Sequence, residues 1–139
     1  MTTPELKTFA AILQNSGLFG ILKQPGSFTL FAPNNDAFNN IKDRLPKLMA
    51  NQQELTDVMI NHLLPIKIKK LDINRGRFPV QTVEGKTIWI TKSFMKITIN
   101  DKAVLIKTDI AAANGVIHII DDVIIGKISL VFQSNFSIE

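Results

Sequence analysis

The chain has 139 residues, 45% of them apolar, with no cysteine and a formal net charge of +4. This is the size of one ordinary domain able to bury a core unaided, and the composition excludes disulfides, thiolate catalysis and cysteine-ligated zinc. No stretch approaches the roughly 18 to 20 uninterrupted apolar residues of a membrane-spanning helix, and Met1-Thr2-Thr3-Pro4 does not begin a signal peptide.

Thr2-Thr3-Pro4-Glu5 has the form of a helix start, with a threonine cap, proline in the first turn and an early glutamate. Leu6, Phe9, Ala10 and Leu13 then fall on one helical face, and Gly17 is the expected stop. Leu18 to Leu22 suit a short second helix before the Pro25-Gly26 turn. Phe28 to Ala32 reads as a strand ended by Pro33, after which Asn34, Asn35 or Asp36 can cap a short helix carrying Ala37, Phe38 and Ile41. Asp36 is read as such a cap rather than as a general base. Pro46 opens another short helix, and Asn51-Gln52-Gln53-Glu54 has capping-box spacing for the next. There Leu55, Val58 and Met59 share a face, with His62 at i+7 from Leu55 and so directed at the core.

Beyond Pro65 the period changes. Phe78 to Val83, Thr87 to Thr91, Phe94 to Ile99 and Lys102 to Ile106 alternate as strands, with Glu84-Gly85 and Asn100-Asp101 as candidate hairpin turns and Pro79 marking an edge. Asn114-Gly115 is the strongest turn dipeptide, predicted to adopt positive φ, and the run from Val116 to Ile120 reads as a strand buried on both faces with His118 inside it. Helices first and strands later predict an α+β class with a largely antiparallel sheet system. Ile128, Leu130 and Phe132 alternate in residues 126–139, which suits an added edge strand.

Charge is segregated. Residues 67–107 hold ten basic side chains against three acidic ones, whereas residues 1–66 are balanced and residues 108–139 are acidic. Lys67, Lys69, Lys70, Lys86 and Lys92 are the candidate contacts if this segment attracts a polyanion such as an acidic glycan; the alternative is that its lysines occupy the solvent face of strands and protect edges.

The chain has only His62 and His118, no tyrosine, no Gly-x-Ser-x-Gly elbow and no phosphate-cradling glycine loop. Both histidines lie in apolar patterns, where a buried, hydrogen-bonded imidazole is the expected role, and His118→Ala is expected to lower stability by about 2–3 kcal/mol. Asp121-Asp122 could chelate a hard cation only with further oxygen ligands; a turn cap or an ion pair is the expected role. Trp89 could line an apolar pocket between helices and sheet. Asn135-Phe136-Ser137 matches a glycosylation triplet. No catalytic residue, metal or cofactor is expected.

Two blocks carry a family resemblance. Phe28-Thr29-Leu30-Phe31-Ala32-Pro33-Asn34-Asn35-Asp36-Ala37-Phe38 resembles the first motif of fasciclin domains, and Asp109-Ile110 followed by Ala113-Asn114-Gly115-Val116-Ile117-His118-Ile119-Ile120-Asp121 resembles the closing motif. With Asn61-His62-Leu63-Leu64-Pro65 between them, the resemblance covers roughly Glu5 to Ile125. It implies a fasciclin-like domain over residues 1–125, a wedge of two small, mainly antiparallel sheets flanked by short helices, with residues 126–139 as an extension. It also implies a secreted, periplasmic or cell-surface adhesion module with a protein or glycan partner, and no nucleic acid partner. Integrin-like recognition in that family would fall here on Asp109 and Ile110, and on His62, although Asn61 stands where the family motif has tyrosine. Asp36, Asn114 and His118 are the structural positions of the matched motifs.

Overall fold

A computed structural model of the protein describes residues 4–15, 26–83, 85–94, 96–112 and 114–124. The predicted stop at Gly17, the short helix around Leu18 to Leu22, the extension 126–139 and the Asn135 triplet lie outside the described residues. A 3-10 turn (Pro4–Leu6) leads into α1 (Lys7–Asn15), followed by β1 (Phe28–Pro33), α2 (Asn35–Asn39), α3 (Leu45–Ala50) and α4 (Gln52–Ile60). Then come β2 (Leu63–Leu64), a 3-10 turn (Lys70–Asp72), β3 (Gly76–Gln81), β4 (Thr87–Lys92), β5 (Ile97–Ile99), β6 (Ala103–Ala112) and β7 (Gly115–Ile120).

The helices follow their apolar spacing. Leu6, Phe9, Ile12 and Leu13 are buried at the start of the chain, and Leu55, Val58, Met59 and Ile60 are buried on α4. Of the three candidate caps for α2, Asn34 does the capping: its Oδ1 accepts the Ala37 amide at 2.8 Å. Asp36 instead lies exposed in the first turn, where its charge favours the helix dipole. Asn35 is used differently, its Oδ1 accepting the Thr8 amide at 2.9 Å and its Nδ2 donating to the Pro4 carbonyl at 3.0 Å, so it binds the start of α1 to α2. Asn51 caps α4 by accepting the Glu54 amide at 3.1 Å.

The strands form one seven-stranded sheet in the order β2-β1-β7-β6-β5-β4-β3, not two small sheets. β6 causes the difference. It is ten residues long, it pairs with both β5 and β7, and register shifts between Leu105 and Lys107 and between Lys107 and Ile110 break its ladder with β7. Such irregularities bend a strand and sharpen its twist. The Val83 amide donates to the Leu63 carbonyl at 3.1 Å, so the chain beyond β3 meets β2 and the sheet becomes barrel-like. All pairings are antiparallel except β1 with β7, which run parallel from Phe28 opposite Gly115 to Pro33 opposite Ile120.

That parallel pair divides the interior. Leu30 and Ala32 of β1, with Ile117 and Ile119 of β7, face the helices, whereas Phe31 and Ile120 face a second core that includes Leu64, Ile88, Ile90 and Ile99. Strands covered on both sides must be apolar at successive positions, which explains the unbroken burial of β7. The β5–β6 hairpin turns through Asn100 (φ 53°) and Asp101 (φ 61°), both left-handed, and brings Ile99 opposite Ala103.

Candidate functional site

Within the apolar wall of β1 and β7 stand two fully buried polar side chains, Thr29 and His118. Thr29 Oγ1 donates to the Ile66 carbonyl at 2.6 Å and accepts the Ile68 amide at 2.7 Å. His118 Nδ1 accepts the Asp109 amide at 3.0 Å, so the ring is the Nε2–H tautomer and donates to the Ile68 carbonyl at 2.7 Å. Asp109 has φ 61°, a left-handed conformation that aspartate tolerates, and its Oδ1 accepts the Lys70 amide at 2.9 Å. Four backbone groups between Ile66 and Lys70, in the chain after β2, are therefore held by Thr29, His118 and Asp109. Replacing Thr29 by valine keeps the shape but leaves the Ile66 carbonyl and the Ile68 amide without that hydroxyl, so a loss of about 1–3 kcal/mol is expected in chemical unfolding; an unchanged midpoint would contradict this role.

His62 does equivalent work at the other end of the barrel wall. Its Nδ1–H donates to the Val58 carbonyl at 2.9 Å and its Nε2 accepts the Ile124 amide at 2.9 Å. Asn61 Nδ2 donates to the Ile124 carbonyl at 3.2 Å, so both backbone groups of Ile124 are held. Burial lowers the His62 pKa from 6.5 to about 4, opposed by the backbone bonds at Val58 and Met59. Asp121 and Asp122 are also engaged in the fold. Asp121 Oδ1 accepts the Val104 amide at 2.8 Å, and Asp122 accepts the Val123 amide at 2.9 Å and lies 3.6 Å from Lys102 Nζ. Among the described residues no three His, Cys, Asp or Glu side chains cluster as a metal site, and no helix is long and apolar enough to cross a membrane.

The basic segment does not form a single patch. Arg77, Lys102 and Lys107 pair with Asp101, Asp122 and Glu5. Lys86, ahead of β4, lies about 20 Å along that strand from Lys92 at its far end. Lys67 and Lys69 are exposed on the loop after β2. Lys70, Lys92 and Lys96 instead surround a pocket of about 280 Å³ whose apolar lining includes Ile97, Leu105 and Ile106. Lys92 Nζ is anchored to the Ile73 carbonyl at 3.0 Å. Phe94, also on the pocket, is 78% exposed and has the Arg75 guanidinium 5.7 Å from its ring centre; Leu71, next to Lys70, is 92% exposed. Trp89 lies on the outer face of β4 beneath Arg77, 4.9 Å away, rather than in a pocket between helices and sheet.

The fasciclin domain profile matches residues 4–126. The chain belongs to the fasciclin domain family. It is 35% identical over 120 residues to Transforming growth factor-beta-induced protein ig-h3 of Sus scrofa, an alignment covering 86% of this chain and 17% of that protein. It is 34% identical over 122 residues to Periostin of Homo sapiens, covering 87% of this chain and 14% of that protein. An uncharacterized protein of Synechocystis sp. is 33% identical over 121 residues, covering 85% of this chain and 87% of its own. Thus the chain spans a small part of the animal relatives and most of a bacterial one. The fold matches a FAS1 domain pair from the insect cell adhesion molecule Fasciclin I with a TM-score of 0.68 at 18% identity, over 86% of this chain and 45% of that one.

The fasciclin-motif residues separate by environment. His118 and Asp109 come together, while His62 is fully buried with both ring nitrogens bonded internally and has no surface to offer a partner. Ile110 is partly buried and packs on the helix-side core, and the Asp109 side chain keeps 38% exposure. Asn114 accepts the Phe28 amide through its carbonyl at 3.1 Å, at the start of the parallel ladder. Gly115 is not left-handed; its lack of a side chain matters because a Cβ would collide with the Phe28 carbonyl oxygen. Thr29 was invisible as a polar organiser, since a threonine in a β-branched run reads simply as a strand former.

Proposed function

We propose that this fasciclin domain is a non-catalytic adhesion and protein-interaction module acting at a cell surface or in extracellular matrix. One contrast carries the reading. The polar side chains suited to chemistry, His62, His118, Asp121 and Asp122, are engaged with backbone groups of the fold, whereas Leu71 and Phe94 stand exposed beside lysines. Exposed large apolar residues rimmed by polar groups mark an interaction surface. The structural neighbour, a FAS1 domain pair from an insect cell adhesion molecule, supports the same reading.

The test is attachment of cells to a surface coated with the domain, with and without a divalent-ion chelator and soluble heparin. Attachment above an inert coating is expected, and its absence would overturn the reading. Sensitivity to chelator would point to an integrin-like receptor, and the contact would then rest on Asp109, because Ile110 and His62 turn inward. A second reading, acidic-glycan binding through Lys67, Lys69, Lys70, Lys86 and Lys92, draws support from the convergence of Lys70 and Lys92 on one pocket. It predicts retention on a heparin resin that falls steeply with salt, because exposed charge pairs are screened. Elution alongside a neutral control protein would remove it.

A further inference from the structure

We infer that the pocket between Lys70, Lys92 and Lys96 is the contact point for an acidic peptide segment of a protein partner, with one apolar side chain of that segment inserted between the lysines. This rests on the interaction-module reading and names the chemistry of its partner.

The pocket lies where β4 ends, β5 begins and the bulged part of β6 passes, with the 3-10 turn at Lys70 on its rim. The floor is continuous with the barrel core, because Ile97 and Leu105 belong to it. Among the described residues, none of the three lysine ammonium groups pairs with a carboxylate, whereas Arg77, Lys102 and Lys107 all do; the nearby Asp109 carboxylate is taken up by the Lys70 amide instead. Three lysines on one hollow of mixed polar and apolar lining gather positive charge there, and an anion supplied from outside offsets it. Lys92 is held in place by the Ile73 carbonyl, so part of the charge is already positioned.

Size and shape favour a peptide. At about 280 Å³ the hollow lies at the lower end of the roughly 300–1,000 Å³ range of enclosed small-ligand sites. It suits one side chain of a larger partner. Phe94 and Ile106 on its lining are 78% and 45% exposed, and Leu71, next in sequence to Lys70, is 92% exposed. A polyanionic glycan would use the lysines but would leave these three in water. A segment alternating carboxylates with an apolar residue satisfies both halves of the surface, and the aromatic Phe94 with Arg75 above it has the composition of an interface anchor.

The test uses the full chain and a fluorescein-labelled acidic peptide with one central phenylalanine flanked by glutamates, titrated at physiological ionic strength and read by anisotropy. Saturable binding is expected, weakened about tenfold by the pair Lys70→Glu and Lys96→Glu, by Phe94→Ala, and by exchanging the peptide phenylalanine for serine. All three altered protein residues are exposed, so the variants are expected to fold, and circular dichroism would verify it. Equal binding of the two peptides, or undiminished binding by the lysine variant, would overturn the inference; heparin binding without peptide binding would do so in favour of a glycan. The same variants coated for cell attachment separate the two levels. If the wild-type coating holds cells and the double lysine variant holds them equally well, the pocket assignment fails and the module reading stands. If the wild-type coating holds none, the module reading fails whatever the peptide does.

Discussion

Gly115→Ala is expected to destabilise the domain by about 4 kcal/mol or prevent its folding, among the largest effects a single methyl group can have. Gly115 opens β7 directly opposite Phe28 of β1. A Cβ at this position would overlap the Phe28 carbonyl oxygen, and would also stand 2.9 Å from the carbonyl carbon and 3.0 Å from a ring carbon of Phe28. Two of these three neighbours are backbone, and the ladder that follows, through Pro33 opposite Ile120, prevents them from withdrawing. Relief requires β1 and β7 to separate at one end, and those strands form the wall shared by both cores. Gly85→Ala provides the contrast. Gly85 has φ +84° with no atom within 4 Å of an added Cβ, so only the left-handed backbone is penalised, by roughly 1–2 kcal/mol. Urea unfolding of both variants decides the matter, and equal losses would contradict the close-approach account.

The same glycine shows where sequence reasoning succeeded and where it stopped. Local patterns were legible: the apolar spacing of α1 and α4, the Asn51 cap, the left-handed Asn100-Asp101 hairpin and the burial of β7 all follow from neighbours within a few residues. Asn114-Gly115 was legible as a break in the chain, but the reason for glycine was not, because the atom that excludes a side chain belongs to Phe28, far away in sequence. His118 was readable as a buried histidine from its apolar run. Its partners were not, since the Asp109 amide and Ile68 carbonyl are backbone groups, which leave no residue-type signature. The strand starting at Lys102 was predicted to end at Ile106; a left-handed Asp109 lets β6 continue to Ala112 with a shifted register. The pocket between Lys70, Lys92 and Lys96 was legible only as an excess of positive charge, because which lysines converge depends on the curl of the sheet.

Acidification from pH 7 to pH 4 is expected to remove about 3 kcal/mol of stability through His62 alone, at about 1.4 kcal/mol per pKa unit. The sign follows from where the proton goes. In the unfolded chain His62 protonates around 6.5, whereas in the folded protein burial delays protonation to about 4. Between those values the unfolded state binds the additional proton, so the contribution is complete above 6.5, shrinks as the pH falls and is lost by about 4. The structural reason is a conflict of donors. Nδ1–H already donates to Val58, so a proton on Nε2 would face the Ile124 amide, itself a donor. The charged ring can be accommodated only by releasing Ile124, and with it the bond by which Asn61 holds the Ile124 carbonyl. In His62→Gln, which cannot titrate, this component of the pH dependence should vanish even if the variant is less stable at pH 7. The wild-type advantage in unfolding free energy should narrow by about 3 kcal/mol between pH 7 and pH 4, and NMR titration of the wild-type ring should place its midpoint near 4. A gap that stays constant across that range, with a ring midpoint near 6.5, would show that His62 is not held as a neutral buried base.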